Sequence, residues 1–225
     1  MTTPTFVTPQ ARQARQAQAR PRGGAPTRVT YQPDFMAVGV RPAPRPDLAY
    51  MDFANQVLGG GVLGRGWVQE EQMLFCTDVM PGVEEYRRRY NQLHVTPLLI
   101  RAHVYLEITN PGVQDYSLKT VAPVLTVPAA NILAAAAPDN RANPRNPQGL
   151  TDWFNVARDA FALAVDNNIT TVVSGPWGAG VFKNTFENSA QLQVDAANAA
   201  GLPELVLYGF PTDFAQVTAA SGTVW

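Results

Sequence analysis

Acidic residues are absent from the first thirty positions of this chain, although five arginines (Arg12, Arg15, Arg20, Arg22 and Arg28) stand there. The whole chain holds 17 basic and 18 acidic residues, so positions 31 to 225 keep 12 basic groups against all 18 acids, a net of −6. A body that acidic argues against broad nucleic-acid binding through phosphate neutralisation, and no direct DNA binding is expected. Cysteine is almost missing. Cys76 is alone, which excludes an internal disulfide and fits a reducing, cytoplasmic setting. No run of about 18 apolar residues occurs, so no bilayer span and no membrane partner are expected. No Gly-Lys-Ser/Thr follows a glycine loop, and GxGxxG with an acid after the next strand is lacking, which removes the P-loop and dinucleotide-binding readings.

What is present suits one globular unit: 225 residues, 46% of them hydrophobic and 16% charged. Residues 1 to 28, rich in Gln, Ala, Arg, Pro and Thr, have little to bury and read as a disordered basic tail before a domain over 29 to 225. "LAYMDF" (Leu48 to Phe53) reads as a buried strand, Trp67 to Phe75 as a helix start, and "GVEEYRRRY" as a second short helix. "PLLIRAHVYLEI" and "VAPVLTVPA" carry strand-forming runs. "LTDWFNVARDAFALAVDNN" has helical spacing with Thr151 as N-cap; "ITTVVSG" follows as a strand, "NTFENSAQLQVDAANAAG" as a helix closed by Gly201, and "ELVLYGF" as a last strand. Helix alternating with strand predicts a layered α/β fold with a largely parallel or mixed sheet.

Two of these strands run into glycine-rich turns that lead to helices: "LAYMDFAN" into "GGGVLGRG", and "ITTVVSG" into "PWGAGVF". Glycine lets backbone approach a ligand closely, and a helix N-terminus offers unpaired N–H groups, so the pair of loops suits a diphosphate at the carboxyl ends of the strands. Either loop alone is equally explained as a tight strand-to-helix turn. Glu70 and Glu71 open the helix after the first loop, where exposed acids favoured by the helix dipole are common. Neighbours on a helix point about 100° apart, so one of the two at most faces a given reacting bond. A general acid placed there needs burial, a second carboxylate or a bound anion to oppose the helix terminus.

"GGG", seven residues, then "QEE" resembles the catalytic loop of the poly(ADP-ribose) glycohydrolases, which are elaborated macrodomains. "DFAN" stands ahead of the glycines as in that family. "PWGAGVF" resembles its second phosphate loop, with Ala179 where cysteine is usual and Pro176 before Trp177. The likeness covers about Ala49 to Phe210, and "VPAANI" and "GVFKN" bring it nearest in style to the compact microbial type. It implies a macrodomain-like three-layer α/β/α fold with a mixed, largely parallel central sheet. It implies hydrolysis of ribose–ribose bonds in poly(ADP-ribose), from chain ends, with no metal and no cofactor. Glu71 would protonate the departing ribose oxygen and then activate water; Glu70 would hold ribose hydroxyls, with Gln69 beside it. Asn55 would contact the ribose at the cleaved bond and Asp52 the adenine side. Gly59, Gly60 and Gly61 would curl around the substrate. Gly178, Gly180 and Val181 would serve the diphosphate, and Phe182 the adenosine. Arg65 is a candidate to meet a phosphate and Tyr116 to clasp the adenine, each weighed against an ordinary surface or packing role.

Two other readings stay open: a module that binds ADP-ribose without turnover, and removal of single ADP-ribose units. Retention of both glutamates favours an enzyme, acting as a monomer on poly(ADP-ribose) or ADP-ribosylated proteins. His94 and His103 lack partners at metal-ligand spacing. Ser174 lacks the setting of a hydrolase nucleophile. Cys76 reads as packing, and Glu84 to Arg89 as a salt-bridged helix surface.

Overall fold

The computed structural model describes residues 3–9, 25–33, 40–64, 66, 68–113, 115–121, 129–141 and 147–210. Its centre is a seven-stranded sheet in the order β1-β4-β7-β3-β8-β9-β2. The strands are β1 (Thr5–Val7), β2 (Arg28–Gln32), β3 (Leu48–Ala54), β4 (Leu98–Ala102), β7 (Ala130–Ala136), β8 (Thr171–Ser174) and β9 (Glu204–Tyr208). Strands β7, β3, β8, β9 and β2 pair in parallel, whereas β4 runs antiparallel to both of its neighbours. A separate two-stranded sheet joins β5 (Leu106–Ile108) to β6 (Leu118–Thr120). Four helices cover the main sheet: α1 (Gln69–Phe75), α2 (Val83–Arg89), α3 (Pro147–Asp166) and α4 (Phe186–Ala200).

Alternation along the strands sorts the helices into layers. On β3, Ala49 and Met51 join the core beneath α3 and α4, whereas Leu48, Tyr50 and Ala54 join a second core with Met73 and Leu74 of α1 and Val83 of α2. The result is three-layer α/β/α, the architecture expected from sequence, with a mixed and mostly parallel sheet. Parallel strands covered on both faces read as continuous apolar runs, and β3 obeys that rule.

Strand β7, "ANILAAA", is buried throughout, yet nothing in its sequence announces a strand, because alanine carries none of the β-branched or aromatic signal. Its small side chains instead make room for Trp153 and Trp177, which meet edge to face at 5.6 Å while the Trp177 indole N–H donates to Ala135 O at 3.1 Å. The strand expected over "VAPVLTVPA" lies mostly on residues outside the described ones. Thr151 is not the N-cap: helix α3 already starts at Pro147, where a missing N–H costs nothing. "PLLIRAHVYLEI" breaks after Ala102. Past that point Asp78 N donates to His103 O, His103 N donates to the Asp78 carboxylate, and Tyr105 N donates to Cys76 O at 2.8 Å, so the chain leaves the main sheet. Gly201 closes α4 as expected, at φ +70°, and Thr185 caps its start by accepting from Asn188 N at 3.1 Å.

Part of the expected tail is structured. Thr5–Val7 pair with β4, and Phe6 packs on the rings of Tyr86 and Tyr90 at 4.3 and 5.1 Å. Thr27 hydrogen-bonds Asn198 and Leu202, so the chain is docked before residue 28. Phe6→Ala is therefore expected to lower stability by about 2 kcal/mol in urea unfolding; an unchanged midpoint would mean that the segment contributes nothing to the fold.

Candidate active site

Strand β3 is longer than the neighbour on one of its flanks. Leu48, Ala49 and Tyr50 pair with Thr171, Val172 and Val173 of β8, and the ladder with β8 stops there. Gln69 substitutes for one: Phe53 N donates to its side-chain oxygen at 2.8 Å and its amide donates to Met51 O at 2.9 Å. A side-chain amide thus extends the sheet by one rung and docks α1 on β3. Gln69, expected to touch substrate, is buried and has both ends of its amide taken by this strand.

The next two residues turn back over the glycine loop. Glu70 accepts hydrogen bonds from Gly59 N at 2.6 Å and Asn55 N at 3.0 Å; Glu71 accepts from Gly61 N at 2.7 Å and Val68 N at 3.2 Å. The Val68 contact is half of a capping box, since valine has no acceptor to return the bond. The glycines are required by the room these carboxylates occupy. A Cβ on Gly60 would sit 2.8 Å from a Glu70 oxygen, one on Gly61 would sit 2.5 Å from a Glu71 oxygen, and one on Gly66 only 1.8 Å. Gly59 and Gly60 also take φ of +94° and +43°, which side chains resist. Gly66 was not among the sequence candidates, and its presence in "GRG" two residues before Val68 was the only available signal.

Burial separates the two acids. Glu70 is 3% exposed and lies beneath the loop, where the N–H groups of Gly59 and Asn55 hold its carboxyl. Glu71 is half-buried at the surface of the loop, and Asn55, whose N–H bonds Glu70, is exposed. Asp52, expected on the adenine side, lies deeper still. It is fully buried on the face of β3 that carries α1, and neither carboxyl oxygen has a hydrogen-bond partner among the described residues. Burial foremost, then the Glu70 charge, hold its carboxyl well above the usual carboxylate range. Burial also pushes Glu70 up to about 8, against the two backbone N–H groups and the Arg87 charge that favour its ionised form. Asp52 receives no hydrogen bond and is the more firmly neutral of the pair.

The second loop follows β8 at the same end of the sheet. Its carbonyls point inward: Gln193 donates to Gly175 O at 2.9 Å, Ser189 to Trp177 O at 2.9 Å, and Asn184 to Gly178 O and Pro138 O at 3.0 Å each. Its N–H groups divide, since those of Trp177, Ala179 and Lys183 bond carbonyls within the loop. Those of Gly178, Gly180, Val181 and Phe182 have no hydrogen-bond partner among the described residues, and Gly180 and Val181 are exposed. Gly178, at φ +78°, lies so close to Ala137 that a Cβ would approach within 2.6 Å. A row of donors on a rigidly clamped backbone is the arrangement that receives phosphate oxygens.

Other candidates stand apart. Tyr116 packs with Phe75, Cys76 and Ile108 in a satellite core. Burial pushes the Cys76 thiol up to about 12, which removes it as a nucleophile. Ser174 is buried against Gln193, His94 is exposed, and His103 pairs with Asp78 at 3.0 Å. Arg65 and Trp67 lie outside the described residues.

No protein-family model matches this chain, and no curated protein matches it. Solved structures do. A poly(ADP-ribose) glycohydrolase from Deinococcus radiodurans in complex with ADP-ribose is 21% identical with a TM-score of 0.64, over 96% of this chain and 92% of that one. The glycohydrolase from Thermomonospora curvata is 17% identical with a TM-score of 0.59, over 96% of this chain and 84% of that one. The apo form of the Deinococcus protein gives 20% and 0.60, over 96% of this chain and 90% of that one. The chain therefore shares the fold of these proteins along nearly its whole length.

The buried acids tie stability to pH. Asp52 and Glu70 keep protons in the fold that the unfolded chain releases near its ordinary carboxyl pKa of about 4. Between there and about 8 the folded state binds more protons, so their contribution to stability falls as pH rises. The Tm of the wild type is expected to drop between pH 5 and pH 8, and that of Asp52→Asn to drop by about 5 °C less. Parallel curves for the two proteins would show that Asp52 titrates normally.

Proposed function

We propose that this protein is a poly(ADP-ribose) glycohydrolase that cleaves ribose–ribose bonds and releases ADP-ribose from chain ends. One observation carries the reading: a half-buried glutamate fixed on a glycine loop stands at the same sheet end as a clamped loop whose N–H groups at Gly178, Gly180 and Val181 have no partner among the described residues. The donors of Gly178, Gly180 and Val181 would take the diphosphate, with Phe182 against the adenosine and Asn55 near the ribose of the scissile bond. Likeness in fold to glycohydrolases solved with ADP-ribose supports the same substrate class.

In this reading Glu71 gives its proton to the departing ribose oxygen as the C–O bond breaks, leaving an oxocarbenium-like centre. The resulting carboxylate takes a proton from water, whose oxygen bonds to the anomeric carbon, and the acid is restored. The N–H groups of Gly61 and Val68 fix the rotamer from which both transfers occur. Glu70, buried below, holds the loop through the N–H groups of Gly59 and Asn55, and the neutral Asp52 beneath keeps excess negative charge away from an anionic substrate.

Glu71→Gln is expected to slow release of ADP-ribose from the polymer by about a thousandfold, with the Kd for ADP-ribose within about threefold by calorimetry. Intact cleavage by this variant would exclude the mechanism, and wild-type binding without any product would leave a reader module. Hydrolysis of a mono-ADP-ribosylated protein in preference to polymer would favour the single-unit activity. Gly66→Ala pushes a methyl group into the Glu71 carboxylate and is expected to lower kcat by about tenfold or more while far-UV circular dichroism stays unchanged; wild-type kcat would show that the carboxylate needs no such space.

A further inference from the structure

Arg88 and Arg89 behave as a salt-bridged helix surface: both are more than half exposed and both pair with Glu85, at 2.9 and 2.7 Å. Arg87 does not. Its side chain is 20% exposed and turns onto the glycine loop, where Nε donates to Leu58 O at 3.0 Å and Nη2 donates to Gly60 O. Only Nη1 is used within the helix, on Glu84 at 3.1 Å.

The two carbonyls belong to peptide groups whose other ends are already engaged. The peptide joining Leu58 to Gly59 gives its N–H to Glu70, and the one joining Gly60 to Gly61 gives its N–H to Glu71. Each plane is therefore held at both ends, by a guanidinium on the oxygen and a glutamate carboxyl oxygen on the N–H. A peptide flanking glycine reorients easily because no Cβ opposes it. A cation at the carbonyl also polarises the N–H and strengthens the bond it donates. A planar fork can reach two carbonyls at once, which a lysine ammonium on a single flexible stem cannot reproduce.

We propose that Arg87 is a positioning residue of this site: its guanidinium locks the two glycine peptide planes that aim Glu70 and Glu71. It acts through the loop and touches no reacting atom. The consequence for turnover rests on the hydrolytic reading of Glu71, whereas the consequence for the loop does not.

The test compares Arg87→Gln, Arg87→Lys and, as a control on the exposed face, Arg88→Gln. Amide hydrogen exchange at Gly59 and Gly61 is followed by NMR, kcat is measured on poly(ADP-ribose), and the Kd for ADP-ribose is measured by calorimetry. In Arg87→Gln both amides are expected to exchange about tenfold faster, the loss of one charge-assisted hydrogen bond each. Its kcat is expected to fall between about tenfold and a hundredfold, with Kd within about threefold. Arg87→Lys should recover little of this, and Arg88→Gln should match the wild type. Wild-type exchange at Gly59 and Gly61 in Arg87→Gln would overturn the proposal, as would kcat and binding lost in equal measure, which marks a general structural defect. If the wild-type protein hydrolyses no polymer, the functional reading fails, and the amide exchange still decides whether Arg87 holds the loop.

Discussion

Two carboxylates fill the space where glycine side chains would otherwise stand, and the architecture of the site follows from that exchange. Gly60, Gly61 and Gly66 each lie within a Cβ clash of Glu70 or Glu71, so the loop closes over the acids only because these positions are bare. In return the acids satisfy loop N–H groups that a glycine-rich segment cannot pair within itself. The loop gains order from these bonds and from one short 3-10 turn at Val62–Gly64, and flexible composition yields a fixed object. The sheet supplies the foundation, because the flank of β3 beyond its pairing with β8 is where Gln69 docks α1 and so sets the start of "QEE".

The same arrangement concentrates acid in the interior. An unpaired carboxylate in a protein core costs several kcal/mol, and Asp52 has no hydrogen-bond donor among the described residues to offset it. Holding the proton removes most of that cost and converts a charge problem into a pH-dependent one. Neutral acids below the loop also leave the field above it open to the donors of the second loop. A diphosphate would meet unpaired N–H groups there with little repulsion from beneath.

Local chemistry was the part most legible in sequence. "GGG" seven residues before "QEE", and the glycines of "PWGAGVF", mark their loops because the constraint lies between residues close in the chain. Layered α/β order was also readable from alternating strand and helix patterns, down to Gly201 as the end of α4. What sequence could not show depended on distant partners. Strand β7 is a strand because Trp153 and Trp177 need small neighbours, and β1 pairs with a strand more than ninety residues away. The arginine run of α2 looked uniform, yet only Arg87 faces the loop. Glu70, Gln69 and Asp52 were legible as residue types in a pattern, whereas their depth was not: all three are buried.

A crystal structure of the Glu71→Gln variant grown with ADP-ribose tests the central claim most directly. The diphosphate oxygens should lie within hydrogen-bond distance of the N–H groups of Gly178, Gly180 and Val181, with the distal ribose carbon beside residue 71. A diphosphate seated elsewhere, or a ribose turned away from that side chain, would contradict it.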